Sequence, residues 1–125
     1  MDNIFILLAM IFLHVVDDYM LQGILASMKQ KQWWTKQKEY KSKYKYDYIP
    51  ALIMHSFSWT FMIMLPIAIV LQFNIDWWIF AYIINMVIHG FVDDLKANKF
   101  KINLVTDQTI HIIQIIVTWL IFILI

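Results

Sequence analysis

The chain has 125 residues, of which 62% are hydrophobic and 15% charged, with a mean hydropathy of +0.64. A soluble domain is about 45–50% apolar and about 25% charged, so a soluble globular domain, a disordered chain and a disulfide scaffold are excluded. Cysteine is absent, which removes thiolate metal sites and redox pairs. The net charge is +1, so total charge does not point to nucleic acid, and no nucleic-acid partner is expected.

Crossing a bilayer core about 30 Å thick takes about 20 apolar residues in a helix. Four runs qualify, at residues 3–26, 48–71, 77–95 and 105–125. Lipid offers no partner to an open strand edge, so each run is expected to be helical. The first has Asp2 where a signal peptide would carry a basic region, and it reads as a retained helix. The predicted fold is a single all-α domain, an integral membrane four-helix bundle.

Three connections join the runs. Residues 27–47 form a long basic segment with interleaved Trp33, Trp34, Tyr40, Tyr44 and Tyr46. Residues 72–76 make a short turn, and residues 96–104 carry Lys96, Lys99 and Lys101. All ten basic residues are lysines, and all lie in the first and third connections or at their edges. Lysine excess marks the cytoplasmic side. Both termini are therefore expected outside, in a multi-pass protein of the inner (cytoplasmic) membrane. The Lys/Tyr/Trp loop is expected to anchor the bundle at the interface and to meet anionic lipid headgroups.

Ionisable groups inside membrane helices are costly and mark function. All four histidines fall within the predicted spans. Three have an aspartate four residues away: His14 with Asp18, His89 with Asp93, and His111 with Asp107. Residues four apart share a helix face. Counted inward from the lysine side at 1.5 Å per residue, His55, His89 and His111 lie about 9 Å deep and Asp18 about 12 Å deep. The seven residues His14, Asp18, His55, His89, Asp93, Asp107 and His111 are therefore candidate ligands of a divalent metal ion. Imidazole and carboxylate suit zinc foremost, with manganese, iron or nickel as alternatives. Gln22, Lys96 and Gln108 are candidate supporting partners. Asp17 and Asp94, each beside a paired aspartate but about 100° round the helix, are candidate general bases.

These motifs resemble the small bacterial and phage membrane proteins grouped as domain of unknown function 3307. The carrying segments are His14-Val15-Val16-Asp17-Asp18-Tyr19-Met20-Leu21-Gln22, the lone His55, His89-Gly90-Phe91-Val92-Asp93-Asp94-Leu95-Lys96, and Asp107-Gln108-Thr109-Ile110-His111. The motifs are also similar, more distantly, to those of membrane-bound metal-dependent hydrolases. The residues leave three functions open. One is a metal-dependent hydrolase acting on a phosphoester or lipid headgroup. Another is a carrier or channel for divalent cations or protons, acting as a homo-oligomer. The third is a non-catalytic membrane protein held together by a polar cluster.

Overall fold

The computed structural model describes residues 2–72, 76 and 78–124. Residues 73–75 of the expected turn, Trp77 at the start of the third run and Ile125 at the end of the fourth lie outside the described residues. The described residues are helical, with no strand among them. Helix α1 (Asn3–Val16) runs on into a π-helical turn, Asp17–Leu21. Two short helices follow, α2 (Leu25–Met28) and α3 (Lys31–Thr35), and then a second π turn, Tyr40–Tyr44. The long helices α4 (Tyr48–Val70), α5 (Trp78–Ala97) and α6 (Leu104–Leu124) complete the chain. Four helices, Asn3–Leu21 and α4 to α6, are long and apolar enough to cross a membrane.

Local signals account for the ends of α1. Asp2 caps its start, accepting a hydrogen bond from the Ile4 amide at 3.1 Å. The helix stops at Leu21, short of residue 26, because Gly23 adopts φ +52°, a left-handed conformation that glycine enters at little cost. The basic segment is folded, although the sequence read as a plain loop there. Trp34 is buried, donates its indole N–H to the Met28 carbonyl at 2.7 Å, and stacks with Tyr44.

The long helices form a ring in the order α1, α4, α5, α6, with neighbours antiparallel, and α4 also touches α6 across it. Ile6, Met10, Ile63, Ile67 and Ile115 fill one half of the interior. The other half, nearer the lysine-rich loops, buries His14, His55, His89, His111, Asp93 and Asp107. Phe5, Phe12, Phe61, Phe80 and Leu124 meanwhile face outward, each more than half exposed. A water-soluble bundle arranges these classes the other way round. The arrangement fits a membrane protein.

One contact sets the spacing of α4 and α5. A Cβ added at Gly90 would stand 2.8 Å from Ser56 Oγ but 3.7 Å from Ser56 Cβ. Gly90→Ala is therefore expected to overpack the seam and cost about 1–3 kcal/mol, and adding Ser56→Ala should restore most of that. Thermal unfolding of both variants in detergent checks this; a double variant no better than the single one would place the strain elsewhere.

Candidate metal centre

The i, i+4 spacing brings each histidine and its aspartate onto one inward face, and the ring of helices brings those faces together. His55 of α4 is central. Its Nε2 lies 3.1 Å from His89 Nε2, 3.2 Å from Asp93 Oδ2 and 3.4 Å from Asp18 Oδ1. On the far side of its ring, His89 Nδ1 lies 3.2 Å from His111 Nδ1. His111 Nε2 in turn donates to Asp93 Oδ1 at 3.2 Å and lies 3.4 Å from Asp107 Oδ1.

With all the rings neutral, these contacts fix the tautomers. Carboxylates only accept, so the proton of a neutral His111 sits on Nε2, leaving Nδ1 to accept from His89 Nδ1–H. His89 Nε2 is then a bare lone pair aimed at His55 and Asp18. His14 is occupied differently. Its Nδ1 accepts the Trp59 indole N–H at 2.7 Å, and its Nε2–H donates to Gln108 Oε1 at 3.0 Å. Both ring nitrogens of His14 are thus engaged in hydrogen bonds. The structure places it beside the candidate ligands rather than among them.

Two groups could each hold a cation: Asp18, His55 and His89, and His89, Asp93 and His111, with ligand atoms in each within 4.8 Å of one another. Ligands about 2.0–2.1 Å from zinc at tetrahedral angles stand about 3.3–3.4 Å apart. In the first group His55 Nε2 is 3.1 and 3.4 Å from its two partners, which is near that spacing. Asp18 Oδ1 is buried there without a hydrogen bond. His55 Nδ1 and Asp17 Oδ2 are also buried without one, and they face each other at 3.9 Å.

The π turn explains how Asp17 joins Asp18 inside. On a regular helix the two carboxylates diverge by about 100°, but the widened turn rotates less per residue, and both are buried. Asp17 Oδ1 accepts from Ser58 Oγ at 2.6 Å. Asp17 therefore sits behind His55, positioned to orient its ring. Asp94, the other candidate base, turns away from the cluster to Asn98 Nδ2 at 2.8 Å and Lys99 Nζ at 3.4 Å.

The supporting residues close the lysine end. Gln108 Nε2 donates to Asp107 Oδ2 at 3.0 Å and reaches Asp18 Oδ2 at 3.4 Å. Lys96 Nζ pairs with Asp107 at 2.9 Å. Gln22 bends back to the Asp18 backbone carbonyl instead of meeting a carboxylate. Lys29, which the sequence offered only as one of many loop lysines, donates to Asp93 Oδ2 at 2.6 Å. Four carboxylates (Asp17, Asp18, Asp93, Asp107) thus face two ammonium groups (Lys29, Lys96), and the cluster is formally short of two positive charges when its histidines are neutral.

Trp59 is fully buried and stacked on His89, with ring centroids 4.0 Å apart. A further polar group continues outward from the histidines. Gln114 Nε2 donates to Asn85 Oδ1 at 2.9 Å, and Asn85 Nδ2 donates to Thr118 Oγ1 at 3.1 Å. Helical spacing could have flagged these residues, since Trp59 follows His55 by four and Asn85 precedes His89 by four. No protein-family model, curated protein or solved structure matches this chain, so the reading of the centre rests on its own geometry.

Proposed function

We propose that the chain holds one divalent metal ion, zinc foremost, between Asp18, His55 and His89, and uses it to hydrolyse a phosphoester or lipid headgroup at the cytoplasmic face of the inner membrane. Manganese, iron or nickel would suit the same donors. The observation that carries the reading is the unsatisfied line Asp18 Oδ1, His55 Nδ1 and Asp17 Oδ2, buried beside the donor group. Buried polar atoms without partners are rare and call for an explanation such as a missing ion. A single dication would answer the charge shortfall. With the metal on Nε2, the proton of a neutral His55 would sit on Nδ1, facing Asp17, the carboxylate–histidine arrangement that orients metal ligands.

Three protein ligands with one open position is the pattern of catalytic rather than structural zinc. A metal so held would lower the pKa of bound water and so supply a nucleophile near neutral pH. Asp93 Oδ2 lies beside these donors, 3.2 Å from His55 Nε2 and 3.7 Å from His89 Nε2. Lys29 and Lys96 join the basic connections to the centre, where they would attract an anionic substrate. The lysine loops would lie in the cytoplasm, as the positive-inside rule expects. Membership of the family of unknown activity named above belongs to the same proposal.

The test is metal analysis of purified protein together with turnover of phosphate monoesters and phospholipids. One metal per chain and metal-dependent turnover that disappears in Asp18→Asn are expected. Wild type without metal would overturn the reading. A second reading, cation or proton transport, draws on the Asn85–Gln114–Thr118 group, which extends polarity outward from His89 and His111. Flux into proteoliposomes without hydrolysis would favour it.

A further inference from the structure

A crevice of about 300 Å³ opens between α4 and α5 on the outer surface of the bundle, near the lysine end. Leu52, Ile53, Met86 and Val87 form its walls, and the close approach of Gly90 to Ser56 forms its floor. Ile53 and Val87 are 53% and 60% exposed, so in a bilayer the crevice faces acyl chains. At its lysine end stand Tyr48 and Phe91. Each carries an ammonium group on its ring, Lys31 Nζ 4.7 Å from the Tyr48 centroid and Lys99 Nζ 5.4 Å from that of Phe91. Asp94 also borders this mouth, but its carboxylate is held by Asn98 and Lys99. Lys31 makes no ion pair among the described residues. Two ammonium groups therefore face one carboxylate, leaving the mouth positive above an apolar slot.

We propose that this crevice is a binding site for one anionic glycerophospholipid of the inner leaflet, with its phosphate between Lys31 and Lys99 and an acyl chain along Ile53 and Val87. Basic pockets between membrane helices on the cytoplasmic side suit such headgroups. A free phosphate would leave the slot empty, and a zwitterionic lipid would not answer the positive mouth. The inference rests on the membrane-spanning orientation but not on the metal. His55 and His89 adjoin Ser56 and Gly90 in sequence but point about 100° round their helices, into the bundle.

The test is native mass spectrometry of protein exchanged into phosphatidylglycerol or into phosphatidylcholine of the same chain length. Phosphatidylglycerol should be retained, and Lys31→Gln/Lys99→Gln should weaken retention roughly thirtyfold. Val87→Trp, which fills the slot from an exposed position, should abolish it. Neutralising the exposed loop residues Lys36, Lys38 and Lys41 should leave it unchanged. Equal retention of phosphatidylcholine, indifference to the Lys31/Lys99 pair, loss that follows the loop lysines, or a second copy of the chain seated in the crevice would each overturn the proposal. Metal content measured on the same samples should not change with Lys31 and Lys99, so failure here is distinct from failure of the metal reading.

Discussion

His89→Ala is expected to empty the centre, whereas His14→Ala should leave the metal bound. His89 belongs to both candidate groups, so its loss leaves two donors in either. Removing a partner that merely orients a ligand typically costs 10–100-fold in affinity. Loss of the ligand itself should therefore exceed about a hundredfold. His14 contributes no free lone pair, because Trp59 and Gln108 occupy both its nitrogens. Its removal should appear in stability instead, at about 1–3 kcal/mol, because the buried Trp59 N–H is left without an acceptor. Competition against a chromophoric chelator measures the first effect and thermal unfolding the second. If the two alanine variants lose metal equally, the assignment of ligands is wrong.

Trp59 should be the most costly side chain to truncate. It is fully buried, stacks on His89 and meets His14 edge-on at a centroid distance of 5.7 Å. Trp59→Ala is expected to cost about 3–5 kcal/mol, the usual range for a buried aromatic. Trp59→Phe separates packing from hydrogen bonding. It keeps a ring but leaves His14 Nδ1 without its donor, at an expected cost of about 1–3 kcal/mol. Circular dichroism melts in one detergent would report both. A Trp59→Phe variant as stable as wild type would mean that the bond to His14 is energetically silent.

The four apolar helices were legible because hydrocarbon imposes a length and a composition that few other environments impose. The inward faces were legible for a related reason, since His and Asp four residues apart must share a side of a helix. What local pattern could not supply were relations across the ring. His14 meets the description of a ligand in sequence, but its lone pair belongs to a tryptophan 45 residues away. Asp17 and Asp94 look alike beside their paired aspartates. A π turn carries Asp17 inward, whereas regular helix leaves Asp94 at the crevice rim. Trp59 and Asn85 share the faces of His55 and His89 but carry no charge, so the spacing of ion pairs does not single them out.

The bond from Lys29 to Asp93 spans 64 residues and ends on a carboxylate of the second candidate group. The resting protein therefore carries its own counter-ion, tethered to the aromatic-rich basic segment. If a dication draws on Asp93, its arrival is an exchange and not a simple addition, with a tethered monovalent charge released as a divalent one enters. Measured affinity would then be net of an internal competitor held at a high effective concentration, and the segment bearing Lys29 would register occupancy of the centre in its own position.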